Sequence, residues 1–227
     1  MPKRQRTGQC AYCGATGPVT SDHVPPKSLF PPGSRVNLIT VDACPSCHDG
    51  FKLDDEYFRV ALGIRDDLPE NDNSKFLRDR TRRTLASPGS QGLRRSLARS
   101  TVLTEVRTQS GIVLGKRVAL RIAGVRIERT AVRIVKALFF KEFSRVVPSS
   151  HKVDVSLFDL QLDDTALLHP DVQDVLRVLH TNNSHKKVGS VFEYWFSATD
   201  SDQDSSVWLF QLHDTFGFIG WTMPRDS

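Results

Sequence analysis

All four cysteines of this 227-residue chain fall in two pairs of one spacing, Cys10-Ala-Tyr-Cys13 and Cys44-Pro-Ser-Cys47. A tight turn between two cysteines can aim both sulfurs at one ion, and Gly14 after the second relieves the backbone. Four thiolates close a tetrahedral zinc site, which is structural because no coordination position stays open. With no cysteine left over and no secretory leader evident in the basic, polar Met1–Gln9, metal is a better reading than disulfides. That leader-free start makes a cytoplasmic location the default expectation. Cys44-Pro-Ser-Cys47-His48 also spells a c-type haem attachment string. Haem fits poorly, because the other CxxC goes unexplained and the only methionines are Met1 and Met223.

The second group of chemically capable residues lies in the 30 residues between Cys13 and Cys44 and just beyond them. Ser21-Asp22-His23-Val24-Pro25-Pro26-Lys27 comes first, then Asn37-Leu38-Ile39, then His48 directly after the second cysteine pair, and Lys52 four residues on. Hydrolysing a phosphodiester needs an activated water, neutralised phosphate charge and a stabilised leaving oxygen. A histidine titrating near neutrality can take the proton, and a carboxylate with an imidazole can hold a hard divalent ion while leaving room for water and phosphate.

With both cysteine pairs, the Asp-His pair, the Asn-Leu pair and His48, the stretch of about residues 10–59 resembles the HNH endonuclease family, in its zinc-stapled subgroup. The resemblance implies a ββα-metal hairpin with Cys10, Cys13, Cys44 and Cys47 on structural Zn²⁺. It implies His23 as general base, and Asp22 and His48 as ligands of a catalytic divalent metal, Mg²⁺ or another. Asn37 would fix the loop that orients His23, and Lys52 stands where the family is often basic, so it is a candidate phosphate contact. The implied activity is metal-dependent cleavage of nucleic acid, with DNA as the simplest target. The alternative is a zinc-dependent nucleic-acid-binding module that keeps the HNH shell without catalysis. A third possibility is a partner-binding protein whose zinc only holds it together. His151, His169, His180, His185 and His213 fall outside the motif and receive no role.

The elements that must position these residues follow from pattern. Residues 1–9 read as a basic tail. Residues 10–65 read as the ββα-metal domain, too poor in apolar periodicity to fold without a metal staple. Pro45 to about Gly63 reads as a helix with Phe51, Tyr57, Phe58 and Leu62 inward and Asp54, Asp55 and Arg59 outside. Residues 66–100 read as a basic, partly helical linker between polar breaks at 66–69 and 87–90. Residues 101–227 read as an α+β domain of unknown role, with helices on one side of an antiparallel sheet. Its elements are strands at 102–108 and 112–122, an amphipathic helix at 125–145, a strand at 153–160, a short helix at 171–180 and strands at 188–198, 207–213 and 216–222. The fold class is therefore α+β, a small zinc-stapled ββα unit followed by a larger mixed domain.

Charge points to the partner. Residues 75–145 carry 18 Lys and Arg against 4 Asp and Glu, within a chain of net charge +5. Such a block favours a polyanion through counterion release. Arg126, Arg129 and Arg133 recur at helical spacing and are expected to form an exposed stripe that grips phosphates. The aromatic residues of the last strands are expected mostly in the core. No stretch is apolar enough to enter a membrane, and oligomeric state is not legible.

Overall fold

The computed structural model describes residues 6–66, 68–108, 110–159, 184–199 and 201–225, with Gln173, Arg177 and Leu179. Strands β1 (Arg6–Gln9), β2 (Thr16–Val24) and β3 (Ile39–Ala43) form an antiparallel sheet in that order, followed at once by helix α1 (Pro45–Gly63). Helices α2 (Asp72–Ala86) and α3 (Gln91–Arg99) come next. Strands β4 (Thr101–Arg107) and β5 (Val113–Leu120) pair only with each other. Helix α4 (Gly124–Phe143) leads to a five-stranded antiparallel sheet. It is built from β6 (His151–Asp159), β7 (Lys186–Val188), β8 (Phe192–Ala198), β9 (Ser206–Leu212) and β10 (Phe216–Pro224), in the order β6-β10-β9-β8-β7. Among the described residues, no helix is long and apolar enough to cross a membrane.

The α+β reading holds, and its departures have local causes. Arg6–Gln9, expected within the tail, pair with Thr16–Val19 because the first knuckle folds the chain back on itself. The single strand expected over 188–198 is a hairpin, β7–β8, broken where Gly189 adopts φ +59°. The helix expected over 171–180 lies outside the described residues except Gln173, Arg177 and Leu179, which are helical.

One buried cluster runs through both expected domains, from Val24, Leu29 and Phe30 through Tyr57, Phe58 and Leu62 of α1 to Ile134 and Leu138 of α4 and Trp208, Phe210 and Phe218 of the sheet. Two close approaches make this possible. A Cβ on Gly63 would strike the Thr81 side chain, so glycine lets α1 lie against α2, and one on Gly220 would come 2.5 Å from Val135, so glycine lets α4 lie on the sheet. The C-terminal half of α1, Tyr57 to Gly63, is buried all round as a result. Arg59, expected outside, is 4% exposed and donates to Thr84 Oγ1 at 2.8 Å.

Candidate functional site

The four thiols are the best-defined group. Their sulfurs all lie within 4.8 Å of one another, and Cys13 and Cys44 are 3.8 Å apart. A zinc ion at ~2.3 Å from each sulfur requires a tetrahedral edge of about 3.8 Å, so the cluster has the size of a Zn(Cys)₄ site. Local backbone makes it so. Gly14 N–H donates to Cys10 O and Cys10 N–H to Ala15 O, both at 2.9 Å, with Gly14 at φ +76°. The second pair opens α1, where His48 N–H donates to Cys44 O at 3.0 Å. Burial pushes the Cys10 thiol up, but backbone N–H groups of Cys44, Cys13 and Tyr12 outweigh it and bring it down to about 7. These four cysteines are positioned to hold a metal ion.

Strands β2 and β3 pair antiparallel in front of α1, with Asp22 opposite Val41 and His23 opposite Thr40. Neighbouring residues of a strand project to opposite faces. Asp22 takes the inner face, 7% exposed, and accepts from Tyr12 Oη at 2.5 Å. Burial and the Asp22 carboxylate push the Tyr12 phenol well above its ordinary range, so it serves as a fixed donor. Thr20, two residues earlier on the same strand, meets His48 Nδ1 at 2.8 Å and ties the first turn of α1 to β2. Asp22 keeps one carboxylate oxygen and His48 its Nε2 outside these bonds.

His23 is half-buried. Burial and then the charge of Lys27 lower its pKa, Asp22 pulls the other way, and Arg35 and His48 add to the lowering. Asp22, His23, His48, Lys27 and Arg35 therefore share one electrostatic neighbourhood. Tyr12, Thr20 and Arg35 carry no mark in the sequence that sets them apart. Lys27 closes the Ser21–Lys27 stretch, four residues after His23.

The segment between β2 and β3 is seated on the distant sheet. His213, in the β9–β10 turn, donates from Nε2 to Leu29 O at 3.1 Å. A Cβ on Gly189 would come 2.5 Å from Ser34 O, so the β7–β8 turn also closes on this segment. Leu29 and Phe30 are fully buried there. The C-terminal sheet thus helps fix the chain that follows His23. Asn37 is exposed at φ +55°, a conformation asparagine tolerates, and its side chain makes no hydrogen bond among the described residues. The expected tether to the His23 loop is not formed by that side chain.

The arginines of α4 require a correction. Arg133 is 3% exposed and paired to Asp55 at 2.6 Å, with its guanidinium 4.6 Å from the Phe51 ring centroid. Arg126 pairs with Asp54 at 2.8 Å and lies over Tyr57, leaving only Arg129 largely exposed, 3.7 Å from Asp54. Asp54 and Asp55 sit on the side of α1 that meets α4, so Arg126 and Arg133 face the protein and only Arg129 faces solvent. Burial pushes the Asp55 carboxyl up to about 6 against the pull of Arg133. Beside this network is a cavity of about 600 Å³ lined by Tyr12, Phe51, Asp55, Arg129 and Arg133. Neither His23 nor His48 lines it, whereas Glu128 and Lys136 do. Lys52 is exposed and pairs with Asp49 at 2.7 Å.

No protein-family model, curated protein or solved structure matches the chain.

Proposed function

We propose that the protein is a metal-dependent HNH endonuclease that hydrolyses phosphodiester bonds in nucleic acid, with DNA as the simplest target. The observation that carries this reading is the ββα arrangement. The Asp22-His23 pair sits near the end of β2, β3 returns antiparallel, and α1 begins at once with His48 in its first turn, all clamped by four clustered thiols.

Asp22 and His48 would hold a divalent ion such as Mg²⁺, each fixed by one bond to a neighbour and each keeping a donor atom for the ion. When bound, the ion supplies charge neutralisation at the scissile phosphate and the departing oxygen. The chain's own groups do the rest. His23 accepts the proton of the attacking water on a ring nitrogen as the new P–O bond forms and the P–O bond to the leaving oxygen breaks; that oxygen takes a proton from solvent. Lys27 and Arg35 add positive charge close to His23. Tyr12 and Thr20 hold Asp22 and His48 in place.

The test is a cleavage assay on supercoiled plasmid, single-stranded DNA and RNA with Mg²⁺, Mn²⁺ or Ni²⁺. Cleavage of at least one polymer that stops when the divalent ion is withheld is the expected result. Inactivity on all three with every ion would favour a zinc-held binding module without catalysis.

A further inference from the structure

The pairing of the α4 arginines moves the question of polymer binding elsewhere, and β4–β5 answers it. This ribbon joins no other sheet, and its seven paired positions span roughly 24 Å at the usual rise per residue. Most of its residues are exposed on both faces. Its base is closed by Arg121 N–H donating to Ser100 O at 2.8 Å, directly after α3.

Two features of this ribbon point to a ligand. The first is charge of one sign. Residues 91–122 contain seven Lys and Arg and a single acid, Glu105, which Arg107 neutralises at 2.8 Å. Arg95, Arg99, Lys116, Arg117 and Arg121 have no acidic partner among the described residues. The second is apolar exposure. Leu103 and Val118, opposite each other in register, are each 68% exposed. Ile112 and Leu114, beside the Ser110-Gly111 turn, are 64% and 66% exposed. A basic shaft with an apolar tip suits a groove of duplex nucleic acid. A two-stranded ribbon fits the major groove, and apolar side chains on such arms also wedge against base steps. A second copy is a poorer occupant, because like charges on two paired ribbons would face each other.

We propose that the β4–β5 ribbon, with Arg95 and Arg99 at its root, is the duplex-binding arm of the protein. Lys116, Arg117 and Arg121 sit on phosphates, while Ile112 and Leu114 press against sugars and base edges. The choice of polymer rests on the nuclease reading above, but the arm acts in binding and not in catalysis.

The experiment is fluorescence anisotropy of the full chain with a labelled 30-base-pair duplex and the matching single strand, without added Mg²⁺, across a salt series. The comparison is between wild type, the triple variant K116A/R117A/R121A and the tip variant I112T/L114T. Sedimentation velocity run alongside gives mass and confirms folding. The triple variant should bind the duplex on the order of tenfold or more weaker, and its log–log salt slope should be shallower by about 2–3, near 0.9 per lost phosphate contact. The tip variant should lose duplex preference with little change in slope. Unchanged affinity and slope in the triple variant would overturn the proposal. So would a dimeric wild type that the tip variant turns monomeric while duplex binding persists, since the arm would then hold two copies together. A protein that binds duplex through the ribbon but cuts no polymer removes the nuclease reading alone. One that cuts plasmid, with the triple variant binding as well as wild type, removes the ribbon alone.

Discussion

The β1–β3 sheet and the C-terminal sheet touch one common core but differ in what each contributes to it. The C-terminal sheet is held by aromatic packing. Phe210 stacks on Phe218 at 4.9 Å between centroids, Phe196 on Trp208 at 5.0 Å, and Trp208 is fully buried with its indole N–H bonded to Ser206. The first three strands bury few apolar side chains beyond Val19, Val24, Ile39, Val41 and Ala43, and carry instead the Asp22–Tyr12 bond beside the four cysteines that could hold a metal ion. Polar and ionisable groups held in fixed positions are what catalysis needs, and they are also what a small unit cannot stabilise by burial alone. The proposed chemistry and the four cysteines that could hold a metal ion therefore fall in the same region.

The largest expected effect comes from removing the metal. Structural zinc is worth about 10–16 kcal/mol in small zinc-folded units. Chelation, or Cys10→Ser, should open residues 6–50 to amide exchange. The three tryptophans, Trp195, Trp208 and Trp221, all lie in the sheet, so their fluorescence should change far less. Simultaneous loss of both signals would show that the two regions cannot be separated. Retained protection at the N-terminus would show that zinc does not hold it.

The buried pair comes second. Arg133→Ala leaves Asp55 without its cation and should cost about 3–5 kcal/mol in urea unfolding. The double variant Arg133→Met with Asp55→Leu should recover most of that loss. An Arg133→Ala variant as stable as wild type would mean the network is solvated.

The third effect is a pH dependence that links the regions. Burial lowers the pKa of His213 to about 4, against 6.5 for the free side chain. The unfolded chain therefore binds a proton between these values that the folded chain refuses. The neutral-His213 contribution is fully present above pH 6.5 and is lost as pH falls toward 4, by roughly 3 kcal/mol. His213→Phe should flatten the stability–pH curve in this window relative to wild type, and parallel curves would contradict the assignment. The smallest effect belongs to Arg129→Ala, whose exposed pair with Asp54 should contribute at most about 0.5 kcal/mol.

What was legible in the sequence was local. The cysteine spacing, the bounds of α1 and α4 and the alternation of β9 are each set by residues close in the chain, whereas the strand–strand–helix order around Asp22 and His23 was implied only by the family resemblance. What was not legible depended on contacts across it. The exposure of Arg126 and Arg133 is decided by Asp54 and Asp55, more than seventy residues away. Helical periodicity alone marks a charged face as solvated unless another helix supplies the counter-charge. The continuity of the core across residues 66–100 is likewise non-local, resting on how closely Gly63 and Gly220 let helices approach. Asn37 adopts a left-handed backbone at φ +55°, a local reason for asparagine there that the motif alone did not reveal.

In the proposed mechanism the end that carries the four cysteines does the chemistry, and His23 is the group that takes the proton. The most direct measurement is plasmid cleavage by His23→Ala in saturating Mg²⁺, alongside zinc content and duplex affinity. The expected result is a rate loss on the order of 10²–10⁴-fold that added metal does not recover, with zinc content and affinity unchanged. Cleavage at the wild-type rate in that variant would contradict the assignment and send the search for the base elsewhere around Asp22.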